Sequence, residues 1–262
     1  MDEIKKIDID QLTDIAAKQG FDRDLIIKDY YLTLILYLLR NVDGLYFKGG
    51  TALQKTMLGY ARLSEDVDYT VVGDLGKIKS QIETLLKKST VFTKVDKDKD
   101  VNGFTRLLIH YKVSDNKEDV IFIDLNTRAK LALASQKYPI VHFYREFIPE
   151  FSCNCLAKEE MVAEKVRATI QRNQTRDHFD VYSIIKKNLK IDFDLVKQKC
   201  KEAGVEFSIP RMFNNAQKLH TRWNDDLLPL LRDEIEFKIV IQTLANYFNL
   251  KKEKDTLKKQ TM

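Results

Sequence analysis

Residues that break regular structure are scarce in this chain of 262: there are 9 Gly and 4 Pro. Loops should therefore be short, helix should predominate, and no low-complexity linker separates the parts. Cysteine is scarce too. Cys153, Cys155 and Cys200 have neither the number nor the spacing of a disulfide framework or a zinc site, and three thiols suit a reducing cytoplasm. No apolar run approaches the roughly 18 residues that spanning a membrane needs. The amino terminus, Met1-Asp2-Glu3-Ile4-Lys5-Lys6, lacks the apolar stretch of a signal peptide. A cytoplasmic protein with no membrane partner is expected. Walker A and zinc motifs are missing, which removes two common nucleotide-site and metal-site readings. His110, His142, His178 and His220 are scattered without metal-ligand spacing and read as packing or surface residues.

What the chain does have is enough apolar sequence, 44%, to bury a sizeable core, alongside 32% charged residues. Its net charge of +5 tolerates a polyanionic partner without requiring one. The run Lys251-Lys252-Glu253-Lys254, continued by Lys258 and Lys259, reads first as a solvated helix end and second as a nucleic-acid contact. Apolar residues cover most of the surface of a helix from Asp24 to Arg40, so it should be buried. Leu45-Tyr46-Phe47 reads as a strand, followed by Gly49-Gly50, a helix over Thr51 to Leu58 and a C-cap at Gly59. Further strands are expected at Asp66 to Val72, Val91 to Val95, Phe104 to Val113 and Val120 to Asn126. A helix is expected from Lys77 to Lys88 and a charged turn after Val95. Beyond about Pro149 the pattern is helical, over Lys158 to Arg172, Asp177 to Lys187, Asp194 to Ala203, Ile209 to Trp223 and Glu234 to Leu250. The fold class is therefore α+β, with a mixed domain over 1–150 and a helical bundle over 151–262.

Chemistry concentrates in Lys48-Gly49-Gly50-Thr51-Ala52-Leu53 and Ser64-Glu65-Asp66-Val67-Asp68-Tyr69. Without a Cβ, Gly49 and Gly50 let backbone N–H groups approach a phosphate at a helix start, and the Thr51 hydroxyl can donate to a phosphate oxygen. Residues two apart on a strand share a face, so Asp66 and Asp68 present adjacent carboxylates, joined there by Thr70. Two such carboxylates repel. A divalent cation removes the repulsion, and Mg2+ prefers one or two carboxylates with phosphate and water. Taken separately, each half has an ordinary reading, as a helix-start turn and a solvated strand edge. Ser64 has no partnering His and Asp in a nucleophile motif, and reads as a loop hydroxyl near the phosphates.

These residues resemble the AbiE-type (AbiEii/AbiGii) bacterial toxins of the nucleotidyltransferase superfamily. Their hallmark is Gly-Gly-Thr-Ala-Leu followed by Arg-x-Ser-x-Asp-x-Asp, matched here by Gly49 to Leu53 and by Arg62, Ser64, Asp66 and Asp68. In the wider superfamily the turn is more often Gly-Ser, so Thr51 stands where serine is commoner and keeps the hydroxyl. The resemblance implies a polymerase-beta-like nucleotidyltransferase domain carrying N-terminal helices.

A third carboxylate is offered by Asp124, near the end of the apolar strand Val120 to Asn126. Its other reading is a strand-end or helix-capping residue before Arg128 to Ala134. The resemblance supports a ligand for a second metal. On the Lys158 to Arg172 helix, Lys165 interrupts the stripe of Met161, Val162, Val166 and Thr169, and either snorkels to solvent or clamps a triphosphate. The family has a lysine in a matching Ala-Glu-Lys stretch, here Ala163-Glu164-Lys165. Asp177 and Asp180 share a helix face and match the family's Arg-Asp-x-x-Asp pattern. By chemistry alone Asp177 could cap a helix and Asp180 pair with Arg176; the resemblance implies that one of them orients Lys165 or the nucleotide.

Together these give a magnesium-dependent enzyme. Asp66, Asp68 and Asp124 are expected to hold two Mg2+ ions, with Gly49, Gly50, Thr51, Ser64 and Lys165 on a nucleoside triphosphate. The resemblance further implies a toxin of a toxin-antitoxin or phage-defence system. It would add nucleotides to RNA, in particular tRNA, under control of an antitoxin from a neighbouring gene. The alternatives are a catalytically silent nucleotide-binding regulator acting through a protein partner, and a metal-dependent nuclease.

Overall fold

The computed structural model describes residues 4–114 and 117–260, with the side chains at 114 and 256–260 excepted. Met1 to Glu3, Lys258 and Lys259, which entered the readings of the two chain ends, fall outside the described residues or side chains. The chain divides between Ala157 and Lys158 into two compact units.

In the first unit Asp8 opens α1 (Ile9–Gln19) through a capping box with Gln11. Asp22 opens α2 (Arg23–Leu39) by accepting from the Leu25 N–H. As its unbroken apolar run implied, α2 is buried on most sides, including a charged residue, Asp29. β1 (Leu45–Lys48) runs straight into α3 (Gly49–Leu53). This helix continues as a π-helical turn, Gln54–Leu58, and Gly59 ends it in the left-handed region at φ 64°. Then follow β2 (Asp66–Val71), α4 (Leu75–Lys88), β3 (Phe92–Val101), β4 (Phe104–Ser114), β5 (Lys117–Asn126), β6 (Gln136–Pro139) and β7 (Ser152–Cys155).

The strands make one seven-stranded mixed sheet in the order β3-β4-β5-β2-β1-β7-β6. β2 is central, antiparallel to β1 and parallel to β5. Alternation sorts its two faces. Val67, Tyr69 and Val71 of β2, Ile121, Ile123 and Leu125 of β5, and Leu107, Ile109 and Tyr111 of β4 are all buried on one face. α2 covers this face, with Tyr31 stacked on Tyr111 at 4.1 Å. The opposite face carries Asp66, Asp68 and Asp124.

Three local expectations change. The charged segment after Val95 is not a turn but the continuation of β3, which lies at the sheet edge. Its Lys and Asp side chains stay exposed there and make Lys94–Asp96 and Lys97–Asp100 pairs. Arg128 to Ala134 forms no helix. The segment past Pro149 holds one more strand, β7, which pairs with β1 and β6 and so belongs to the first unit. Its Cys153 and Cys155 act as small apolar residues, and burial pushes the Cys153 thiol up to about 12.

The second unit is helical: α5 (Lys158–Gln171), α6 (Thr175–Lys186), α7 (Phe193–Glu202), α8 (Ala216–Thr221), α9 (Trp223–Asp226), α10 (Phe237–Tyr247) and α11 (Leu250–Gln260). The single helix expected over Ile209 to Trp223 is broken. Pro210 sits in a 3-10 turn, Ile209–Phe213, and Asn214-Asn215 separates it from α8. Asparagine side chains compete for backbone groups and disfavour helix continuation. α5 packs against α6 and α7, and α10 against α6. No helix among the described residues is long and apolar enough to cross a membrane.

Candidate active site

Strand register gathers the carboxylates. Asp68 on β2 is the Cα partner of Asp124 on β5, and Asp124 is the partner of Arg106 on β4. Directly registered residues project from the same face, so Asp68, Asp124 and Arg106 stand abreast, with Asp66 one pleat away from Asp68. All four are half-buried. Arg106 grips Asp124 with both arms of its fork: Nε to Oδ1 and Nη2 to Oδ2 are each 2.7 Å. Its guanidinium carbon lies 4.9 Å from the Phe122 ring centroid. The Asp124 hydrogen bonds raise the arginine's already high pKa, and the charge of Asp66 adds to the effect.

The glycine turn meets the same carboxylates. Lys48 is the Cα partner of Asp68, so the chain enters α3 beside it. Gly49 has φ 81°, and a Cβ there would lie 2.2 Å from Asp68 Oδ2. Both the left-handed backbone and the missing side chain are therefore required for Asp68 to sit where it does. Thr51 is buried, and its hydroxyl donates to the Asp66 carbonyl and shares a 2.8 Å hydrogen bond with Ser64 Oγ. In this arrangement the two hydroxyls tie the helix to the start of β2. Arg62 of the same motif is buried as well. Its guanidinium donates to the Leu63 carbonyl and its N–H to Gln54 Oε1, which pins the loop that returns to β2.

Asp66 and Asp68 supply hard oxygen donors of the kind a magnesium ion takes. Among the described residues no three His, Cys, Asp or Glu side chains assemble into a metal cluster. Both oxygens of Asp124 are engaged by Arg106. The three carboxylates share one face of the sheet, and one of them, Asp124, is held in a guanidinium fork.

Beneath the turn lies a polar network that the sequence reading did not single out. Lys55, on the π-helical turn, is fully buried with its ammonium 2.7 Å from Asp29 Oδ1 on α2. Tyr60 and Tyr144 donate to Asp29 Oδ2 at 2.9 and 3.1 Å, and Lys55 also donates to Thr33 Oγ1 at 2.9 Å. Burial lowers the Lys55 pKa against the opposing pull of Asp29. Burial and the Lys55 charge hold His142 down to about 4, so it stays neutral at neutral pH. The available signal was slight: Asp29 precedes the long apolar run of α2, and Lys55 lies between Gln54 and Thr56.

In the second unit Lys165 is buried, and its ammonium lies 2.9 Å from both Asp177 Oδ1 and Asp180 Oδ2. Lys165 therefore does not snorkel to solvent. Asp177 is not the cap of α6, a position taken by Gln174, and it also receives Arg172 Nε at 2.6 Å. Burial raises the Asp177 pKa, but Lys165 and Arg172 outweigh it and hold the carboxyl well below the ordinary aspartate value of 3.8. A group so depressed contributes stability that is fully present above pH 3.8 and is lost as pH falls through its folded value. Thermal melts between pH 2 and 7 are accordingly expected to show an acid limb below about pH 4 that is much flatter in Asp177→Asn. Identical limbs in the two proteins would disprove the assignment.

The family model described as nucleotidyl transferase AbiEii toxin, type IV toxin-antitoxin system, matches residues 38–248. The chain belongs to this family. In the AbiEii toxin the match takes in the glycine turn, β2, β5 and both charged helices, α5 and α6. Among solved structures it is similar to MenT4, a nucleotidyltransferase toxin from Mycobacterium tuberculosis H37Rv, with 20% identity and a TM-score of 0.60 over 84% of this chain and 73% of that one. JHP933 from Helicobacter pylori is similar at 16% identity and TM-score 0.58, over 92% and 100% of the two chains. A putative nucleotidyltransferase from H. pylori gives 18% and 0.57, over 90% and 99%. At such identities the likeness establishes the fold, which is that of the nucleotidyltransferase toxins. No curated protein sequence matches.

Proposed function

We propose that this AbiEii-family toxin transfers a nucleotide from a nucleoside triphosphate to RNA, with the acceptor end of tRNA as target, in a magnesium-dependent reaction in the cytoplasm. An antitoxin encoded beside it would hold it in check, in a setting such as phage defence. The observation that carries this reading is the register of Asp68 with both Asp124 and the entry to the Gly49-Gly50 turn. It sets carboxylates beside the backbone N–H groups at the start of α3, as nucleotide binding by phosphate and cation together requires. An ion held by Asp66 and Asp68 would offset part of the triphosphate's charge and of that developing on the oxygens around its α-phosphorus. The protein's own part is placement. Gly49 and Gly50 admit the phosphates close to the backbone, while Thr51 and Ser64 hold the helix against β2. In the second unit Lys165 is held by Asp177 and Asp180, and the family resemblance would give it to the phosphate tail. As the acceptor oxygen bonds to the α-phosphorus, the bond from that phosphorus to the β-bridging oxygen breaks. Pyrophosphate leaves and the hydroxyl proton passes to solvent.

Incubation of the purified chain with each of the four labelled triphosphates, magnesium and total RNA is expected to label RNA. No label on RNA with any of them would overturn the proposal. Magnesium-dependent triphosphate binding without product would favour the silent regulator, and cleavage of RNA without triphosphate would indicate a nuclease.

A further inference from the structure

Asp124 occupies the position at which the family resemblance leads one to expect a second metal ligand, yet the side chain it meets is an arginine. The pair is not a loose surface contact. Both carboxylate oxygens receive an N–H at 2.7 Å, and the Asp124 side chain is only 14% exposed. The guanidinium lies near two aromatic rings, Phe122 at 4.9 Å and Phe104 at 6.0 Å. Both partners are fixed by strand register, which aligns Arg106 with Asp124 and Asp124 with Asp68. A guanidinium keeps its charge at every working pH, so this positive group cannot be titrated away. Asp66, Asp68, Asp124 and Arg106 together carry two net negative charges, which a single divalent ion neutralises.

We infer that Arg106 is the standing cation of this site, holding at Asp124 the place of a second divalent ion, so that the chain takes one such ion, on Asp66 and Asp68. The inference rests on the magnesium-dependent reading and adds to it a positioning residue and a stoichiometry. Of the five N–H groups of the guanidinium, two are committed to Asp124, and the others remain a fixed positive edge for phosphate oxygens. A purely structural ion pair between neighbouring strands would stabilise the sheet without controlling how many ions bind.

The test is manganese binding by the 262-residue chain, followed by the paramagnetic resonance of free Mn2+ and by calorimetry without nucleotide. Wild type is expected to bind one ion. Arg106→Met is expected either to bind a second or to bind manganese roughly tenfold or more tightly, the scale on which groups beside a metal tune its affinity. That gain should vanish in Arg106→Met with Asp124→Asn. A folded Arg106→Met chain whose isotherm superimposes on wild type would overturn the inference. Should the methionine variant fold poorly, Arg106→Lys carries the test. Its single-point ammonium should yield Asp124 at lower manganese concentration than the fork does, and an isotherm identical to wild type again overturns the inference. Asp66→Asn separates the two levels. If it leaves the wild-type ion in place, the ion site on Asp66 and Asp68 itself fails, whatever Arg106 does.

Discussion

Asp66→Asn is expected to lower nucleotide transfer by on the order of a thousandfold, the scale on which preorganised charge at a reacting centre acts, while the protein stays folded. The physical case is the asymmetry between function and stability at this position. Asp66 and Asp68 share one half-buried face of β2 with Asp124, a concentration of like charge that folding must tolerate. Exchanging one carboxylate for an amide removes repulsion without changing the strand's shape, so the melting temperature should hold or rise slightly. The same change removes half of the donor set for the divalent ion. Gly49→Ala is expected to reach the same loss of transfer by a different route, because the added methyl would overlap the Asp68 carboxylate and the backbone at φ 81° disfavours any side chain. Transfer to RNA and thermal melting on the same preparations provide the check. An Asp66→Asn protein as active as wild type would remove the metal mechanism.

Lys55→Met should give the largest loss of stability in the first unit, about 3–5 kcal/mol, because it leaves Asp29 buried without its counter-ion. The two tyrosines that donate to Asp29 can stabilise the carboxylate in part but carry no positive charge. Asp29→Leu together with Lys55→Met should recover a good part of the loss, since an apolar pair needs no mutual compensation. Denaturant unfolding of the single and double variants measures this. If each single variant unfolds at the wild-type midpoint, the network has no energetic role. Since Lys55 sits on the π-helical turn that follows the glycine turn, the single variants should also lose nucleotide affinity at temperatures where they remain folded.

These two cases show where the sequence was legible and where it was not. The period-two alternation of β2 told which of its residues share a face, and the Gly49-Gly50 pair marked a backbone position that admits no side chain, so half of the site could be read locally. The pairing of Arg106 with Asp124 could not, because it depends on β4 and β5 being neighbours in a particular register, and nothing in Phe104 to Val113 names its partner strand. An arginine alternating onto the polar face of an apolar strand was the only local sign. The Asp29–Lys55 pair was hidden for the same reason: its members lie on different helices, and each alone looks like a charge at a helix surface. β7 was missed because four residues, Ser152 to Cys155, are too few for a pattern and become a strand only by adding to β1. Conversely, the charge run of β3 reads as a turn by composition, although an edge strand is where such residues are tolerated.

The parallel pairing of β2 with β5 also orders events during synthesis. β1 and β2 can form their antiparallel ladder as soon as both have left the ribosome, but Asp124 enters the sheet only after α4, β3 and β4 have been made. Contacts separated so far along a chain form late, since the intervening segment must be confined first. A nascent or truncated chain ending before β5 would thus hold the glycine turn, two of the carboxylates and Arg106, but neither β5 nor the Asp124 that the arginine grips. Cells making such fragments should be spared their activity.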